Sequence, residues 1–466
     1  MNFLGIDVGT TSMKAAVFSQ AGEELSSATL DYTLRQDGNV VEFDTESYWH
    51  LLKQALEIVT KDVKVDAMSI DTQCETLILT DDDGNPVRDA IVWLDNRAEE
   101  QAKKIEAHFG EQKVYEITGQ PEVTATWPAC KLLWVKENEP EVWAKTKKIF
   151  LLEDYLIYKM TGAFVTEKTL QSSSLYLDIH KGDWWQEMLD FIGVSKEQLP
   201  VLKESAEVVG TYQGMTVVTG AMDQVAGAIG AGVVKKGIMS EMTGTTMVLF
   251  VPTDEIPTYD PDSKIPLHYN YDGGYVRLLW TSTAGMSLKW FKNSFCEAND
   301  FRELDDLAAS VPPGCEGLVM LPHLCGSTMP RYNPEARGAF YGITLQHTRA
   351  HFVRSILEAV SCMLKSNLDY IGMEIDEIRM MGGGAKSPLW CQIKADMTNT
   401  RLVTLKKNET ACLGSAILAG VGVGAYASVE DACKLLVETD RVYESQGVDY
   451  SDVYKAYSEL DEKLHG

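Results

Sequence analysis

Asp7, Gly9, Thr10, Thr11, Ser12 and Lys14 crowd into one short stretch, "FLGIDVGTTSMKAAVF", residues 3–18. Two apolar runs flank a turn, which predicts a β-hairpin. An ordinary hairpin needs one or two turn residues. This one spends its turn on backbone N–H groups, hydroxyls and a cation, a set that suits an oxyanion such as phosphate. A solvated β-turn would use the same residue types, and this stretch alone does not separate the two. A second stretch, "MTGTTMVLF" from Met242, repeats the pattern, with Gly244, Thr245 and Thr246 aligning with Gly9, Thr10 and Thr11. Each turn leads into an apolar strand. Two such turns so far apart in the chain suggest duplicated domains facing each other, with two phosphate loops closing on one nucleotide. The carboxylate occurs only in the first copy, since Met242 stands opposite Asp7. A metal-associated role therefore falls to Asp7.

Two further stretches add chemistry. In "RMMGGGAKSPLW", from Arg379, a strand runs into Gly382, Gly383 and Gly384, and a helix begins near Ser387. Bare backbone can pass close to a flat or phosphorylated ligand, and a helix N-terminus favours an anion. No GxxxxGK[ST] sequence is present, so this is not a P-loop. In "TGAMDQVAGAIGAG", residues 219–232, Asp223 stands where a strand ends and a Gly/Ala-rich helix starts. That is where α/β folds place ligands, which makes Asp223 the candidate base. An acid in this position also serves as a plain helix cap.

The elements that must position these residues alternate along the chain. Apolar patterning predicts strands over 3–8, 15–18, 67–71, 76–80, 149–152, 216–220, 247–251 and 378–381. It predicts helices over 45–61, 95–108, 129–137, 348–370 and 387–399, the last opening on Ser-Pro. The mixture indicates α/β layers. At 466 residues the chain should split into two or three domains. The Gly-rich segment 227–237 is the candidate junction, and Gly230, Gly232 and Gly237 are candidate hinge positions.

Composition narrows the partners. Apolar residues make up 45% and charged residues 24%, ordinary for a globular protein. A net charge of −26 argues against nucleic acid and anionic membranes. An anionic ligand must then be held by local amides, a lysine or a metal. Nine scattered cysteines without a CxxC pair read as reduced thiols in a cytoplasm. No basic region followed by a long apolar run precedes the first strand, so no signal peptide is expected. The uncharged stretch 411–429 is rich in glycine and small side chains, and it predicts a closely packed buried helix rather than a membrane span.

Taken together, these residues resemble the FGGY carbohydrate kinases, whose members phosphorylate xylulose, ribulose, fuculose, gluconate and glycerol. The likeness runs from Phe3 to about Val429 with the motifs in the family's order. "WPACKLLWVKEN" matches one family pattern through Pro128, Lys131, Trp134 and Asn138, with Thr126 a departure two residues before the proline. A second pattern fits throughout: Gly338, Phe340, Gly342 and Ile343, then His351, Ser355 and Glu358.

The resemblance implies two actin-like ATPase (ribonuclease H-like) domains with the active site in the cleft between them. Residues 1–235 would form the first domain and 236–466 the second. It also implies that Gly9, Thr10, Thr11, Ser12 and Lys14 on the first hairpin hold ATP phosphates together with Gly244, Thr245 and Thr246. Gly383, Gly384 and Ser387 would lie at the adenosine. Asp223 resembles the general base, and Asp7 the acid that positions Mg²⁺ through water. "DTQCETLIL" resembles the acceptor loop and places Gln73, Cys74 and Glu75 at the sugar, with Trp93 nearby.

Glycerol kinases carry Gln-Arg-Glu-Thr in that loop and xylulokinases Gln-Met-His, so Cys74 departs from both. Asp95, after Trp93, is expected to cap the helix beginning there, and Trp93 itself would otherwise be a core residue. The implied activity is ATP-dependent phosphorylation of a ketopentose such as xylulose. The alternatives are a fuculose, ribulose, gluconate or glycerol acceptor, or an actin-like ATPase with no sugar acceptor. The implied partners are a small sugar and ATP, with a homodimer left open.

Overall fold

Short, nearly continuous apolar runs gather into two seven-stranded sheets built on the same plan. The computed structural model describes every residue except 297–299 and 408. In the first sheet, Asn2–Val8 pairs antiparallel with Ser12–Ser19 and parallel with Ala67–Thr72. In the second, Ile238–Thr243 pairs antiparallel with Met247–Thr253 and parallel with Glu377–Gly382. Each hairpin gains a third antiparallel strand, Glu24–Asp31 in one sheet and Tyr275–Thr281 in the other. Each central parallel strand gains another parallel strand, Met215–Val218 and Arg401–Leu405 respectively. Antiparallel edges close both, Val208–Tyr212 and Thr439–Tyr443. The duplication legible in two Gly-Thr-Thr turns thus extends to whole sheets.

Helices cover the sheets through apolar faces. Thr45–Val59 and Leu152–Thr161 pack one face of the first sheet, with Leu52, Leu56 and Leu156 fully enclosed against Leu4, Ile6 and Ile70. Arg349–Ile371 and Pro388–Thr398 pack the second sheet through Val353, Ile356, Val360 and Ile393. The remaining faces meet on two helices, Asp223–Gly230 and Thr410–Gly422, and one apolar cluster joins Phe3, Phe18 and Ala67 to Phe250 and Val276. Burying each large side chain there stabilises the junction by about 1.5–3 kcal/mol. The two helices and the first hairpin approach closer than side chains allow. A Cβ on Gly5 would meet the Cys412 carbonyl at 1.8 Å, and one on Gly414 would meet the Ala226 carbonyl at 1.9 Å.

Stretch 411–429 is therefore a buried helix and a turn, as its small residues predict. Among the described residues, no helix is long and apolar enough to cross a membrane. Two local expectations need correction. The strand predicted over 216–220 ends at Val218, and pairing with Ala67–Thr72 resumes only at Ala221–Met222. Between them Gly220 runs against Ile70, where a Cβ would come within 1.7 Å of its carbonyl oxygen. The helix predicted over 95–108 starts at Glu99 with Ala98 as N-cap, so Asp95 caps nothing. Asp95 is instead fully buried, accepting from the Val41 amide at 2.6 Å and pairing with Arg97 at 2.7 Å.

Candidate active site

Three adjacent strands of the first sheet end in, or lead to, carboxylates. Asp7 lies in register with Asp71 on the neighbouring parallel strand, and Ala221–Met222, beyond it, delivers Asp223 as the first residue of its helix. Burial pushes the Asp223 carboxyl up to about 7, and Asp7 pushes in the same direction. The Gln224 amide, donating to Asp223 Oδ1 at 2.6 Å, offsets part of this. Asp7 is raised by burial, with Lys14 opposing. Asp71 is raised well above the usual range by burial and by Asp7. Its Oδ2 accepts from Ser415 Oγ at 2.6 Å, whereas Oδ1 is buried with no hydrogen-bond donor among the described residues. Lys14 does not neutralise this group alone, because its ammonium sits 2.6 Å from Glu409. Hard oxygen donors crowded together with an orphaned carboxylate oxygen fit a divalent cation such as Mg²⁺.

Gln73, Cys74 and Glu75 follow the strand Ala67–Thr72 that carries Asp71. Gln73 Nε2 donates to the Tyr48 hydroxyl at 3.1 Å while Oε1 is buried with no partner among the described residues. Cys74 Sγ lies 4.0 Å from Asp223 Oδ1, and burial holds its thiol protonated. Glu75 adopts a φ of 54°, a left-handed conformation that costs a non-glycine residue about 1–3 kcal/mol. Burial lifts its carboxyl to about 7 against the pull of Lys131. Lys131 is itself buried, lowered to about 8, and donates to the Val92 and Glu75 carbonyls at 2.9 and 3.2 Å. Trp93 is not simply core: its Nε1 donates to Thr10 Oγ1 at 3.0 Å, joining the acceptor wall to the first hairpin.

On the second sheet, Gly244, Thr245, Gly383, Gly384 and Ser387 line one cavity of about 370 Å³. The Thr245 carbonyl accepts from the Ala284 and Met286 amides at 3.0 and 3.1 Å, which fixes the turn. Ser387 N-caps Pro388–Thr398, accepting from the Trp390 amide at 3.1 Å. Met286, Leu288, Phe301 and Trp390 give the cavity apolar walls, and Asp305 and Lys289 add charge. Gly9, Thr10, Thr11, Ser12, Lys14 and Thr246 do not line it. In the first turn the Gly9 amide donates to the Ser12 carbonyl at 3.0 Å, and the Tyr32 hydroxyl donates to the Gly9 carbonyl.

Comparison with known proteins identifies this arrangement. The model of the FGGY carbohydrate kinase N-terminal domain matches residues 2–233, and that of the C-terminal domain matches residues 242–423. The chain is 30% identical to a xylulose kinase of Staphylococcus epidermidis over 99% of this chain and 96% of that one. The chain belongs to the FGGY family of carbohydrate kinases. It is therefore a phosphotransferase with ATP as co-substrate, on two actin-like domains. A gluconokinase of Bacillus subtilis is 26% identical over 94% of this chain and 91% of that one. The structure of a Plasmodium falciparum glycerol kinase with ADP superposes with a TM-score of 0.93 at 25% identity, covering 100% of this chain and 98% of that one.

Some residues of this candidate site escaped sequence reasoning. Asp71 is one polar residue in a strand, and nothing local marks it as a neighbour of Asp7. The parallel register does that. Phe301, Trp390 and Leu288 read as core in any sequence, and Thr243 as the last residue of a strand. The only local signal for Thr243 was its place immediately before Gly244.

Proposed function

We propose that this FGGY kinase transfers the terminal phosphoryl group of ATP to a ketopentose such as xylulose, with Asp223 as general base. One observation carries the reading. Asp223 opens a helix beside Cys74 and across from Asp7, buried enough that its carboxyl titrates at about 7. A base poised there accepts a hydroxyl proton at neutral pH as the oxygen attacks. Gln73, Cys74, Glu75 and Trp93 form the acceptor wall, which Cys74 leaves neutral where glycerol kinases carry arginine. The likeness to a xylulose kinase over nearly the full chain supports a ketopentose.

Gly244, Thr245, Gly383, Gly384 and Ser387 would receive the nucleoside and its proximal phosphates in their cavity. Gly9, Thr10, Thr11, Ser12, Lys14 and Thr246 would present amides and hydroxyls to the distal phosphates. Asp7 would hold Mg²⁺ through water, and that ion, when bound, supplies neutralisation of phosphate charge. The first functional unit spans 1–235 and the second 236–466, and the reaction is assigned to the cytoplasm. The test is ADP release with a panel of ketoses, polyols and aldonates. A ketopentose should give the highest kcat/KM. A higher value with glycerol or gluconate would overturn the substrate, and no turnover with any acceptor would overturn the assigned site.

A further inference from the structure

Lys394 and Glu241 form an ion pair in which neither side chain is exposed. Lys394 Nζ donates to both Glu241 oxygens at 3.0 Å and to Thr243 Oγ1 at 2.9 Å. The Thr243 hydroxyl in turn donates to Glu241. Three ammonium protons, both carboxylate oxygens and the hydroxyl are all used, the condition under which a buried pair is tolerated. Well-packed apolar side chains of similar volume are often as stable or more so. Stability alone therefore does not account for a full charge in this position.

What the trio touches is the cavity. Thr243 ends the strand Ile238–Thr243, lines the cavity and sits in register with Gly382. Its side chain presses on Gly384, where a Cβ would come within 2.7 Å of the Thr243 Cβ. The same ammonium lies 4.8 Å from the ring of Trp390, another wall of the cavity, and Trp390 Nε1 is anchored on the Leu357 carbonyl at 3.0 Å. One buried cation thus ties together the strand end before Gly244, the glycine turn and the helix that Ser387 caps. A hydrogen-bonded charge fixes these three more narrowly than apolar contacts, which tolerate sliding and repacking.

We propose that Lys394 is a positioning residue for the nucleotide. Acting through Thr243, it holds the Gly244–Thr245 turn against Gly383 and Gly384 at the spacing the nucleotide requires. This rests on the reading of the cavity as the nucleotide site. The binding readout uses the full chain and ADP and needs no sugar; the kinetic readout uses the best acceptor of the panel. Calorimetric titration compares wild type with Thr243→Val, Lys394→Met and the double variant Lys394→Met/Glu241→Leu.

Lys394→Met leaves a lone buried carboxylate and risks misfolding. The double variant removes both charges, and Thr243→Val leaves the pair in place. The expected result is ADP binding weakened at least about tenfold, or 1.4 kcal/mol, in Thr243→Val and in the double variant. KM for ATP should rise with KM for the sugar unchanged. A double variant that melts like wild type and binds ADP as tightly would overturn the proposal, reducing the trio to a structural contact. Failure of wild type itself to bind ADP would remove the cavity assignment and this inference with it.

Discussion

At the scale of single residues, the candidate site rests on carboxyls that burial and their mutual repulsion make harder to ionise. Asp223→Asn should leave ADP binding nearly intact and lower turnover by at least about 10², the low end of general-base contributions. Near wild-type turnover on the best sugar would remove Asp223 from that role. Because burial raises this carboxyl to about 7, kcat/KM should fall as pH drops below about 7, where the base becomes protonated. A profile flat through that region would contradict it. Asp7→Ala should shift the Mg²⁺ titration of activity to higher concentration, since Met242 at the equivalent position cannot substitute. An Mg²⁺ dependence like that of wild type would exclude the metal role. Asp7 and Asp223 stand out in the sequence as candidates because each lies beside a turn that advertises itself. Asp71 does not, since its meaning comes from a register partner sixty-four positions away. Asp95 misled for a related reason: an acid before a helix looks like a cap, yet a buried arginine and a strand amide claimed it first.

At the scale of elements, the glycine content of 411–429 predicts a closely packed buried helix, and the structure crosses that helix with Asp223–Gly230. Gly414→Ala should destabilise by about 1–3 kcal/mol, because its Cβ would sit 1.9 Å from the Ala226 carbonyl. Gly227→Ala, in the opposing helix, has its nearest neighbour at 3.8 Å, and should be neutral or stabilising by up to about 1 kcal/mol. Urea unfolding midpoints check both, and equal effects would mean the glycines share no close approach. The helix Arg349–Ile371 matches the prediction over 348–370 to within a residue, as its long apolar periodicity allows. The break at Gly220 was not readable. It comes from the carbonyl of Ile70 on another strand, and no local propensity encodes that.

At the scale of the molecule, the duplicated sheets predict a cleft that closes. Saturating sugar with a non-hydrolysable ATP analogue should reduce the radius of gyration in small-angle scattering. An unchanged radius would mean a cleft already shut. The candidate hinge narrows, because Gly230 lies against the Thr410 carbonyl, where a Cβ would come within 1.8 Å. A Cβ on Gly232 would come as close to the Arg379 guanidinium, at 1.9 Å, which leaves Gly237, at φ of 86°, as the candidate hinge.

Stability should depend on pH for a whole-molecule reason. Burial raises Glu75, Asp154 and Asp223 to about 7 and Glu167 to about 8, against 3.8–4.5 for free carboxyls. A raised folded-state value stabilises the protonated protein, fully below about pH 4, and that contribution is lost as pH climbs through 7 to 8. Tm should therefore fall between about pH 5 and about pH 8. A Tm that rises over that interval would show these carboxyls to be ionised and paired.

The helix Thr410–Gly422 lies on the first strand of the chain, with Gly5 against Cys412. That contact has a cost during synthesis. A ribosome adding about 5–20 residues per second needs roughly 20–80 s to travel from the opening hairpin to the helix that covers it. Throughout that interval Phe3, Ala16 and Phe18 have no Cys412, Ala416 or Ile417 to meet. The nascent chain must carry an open apolar sheet face until it is nearly complete. The half that bears Asp7, Asp71 and Asp223 thus waits longest for the helix that covers it.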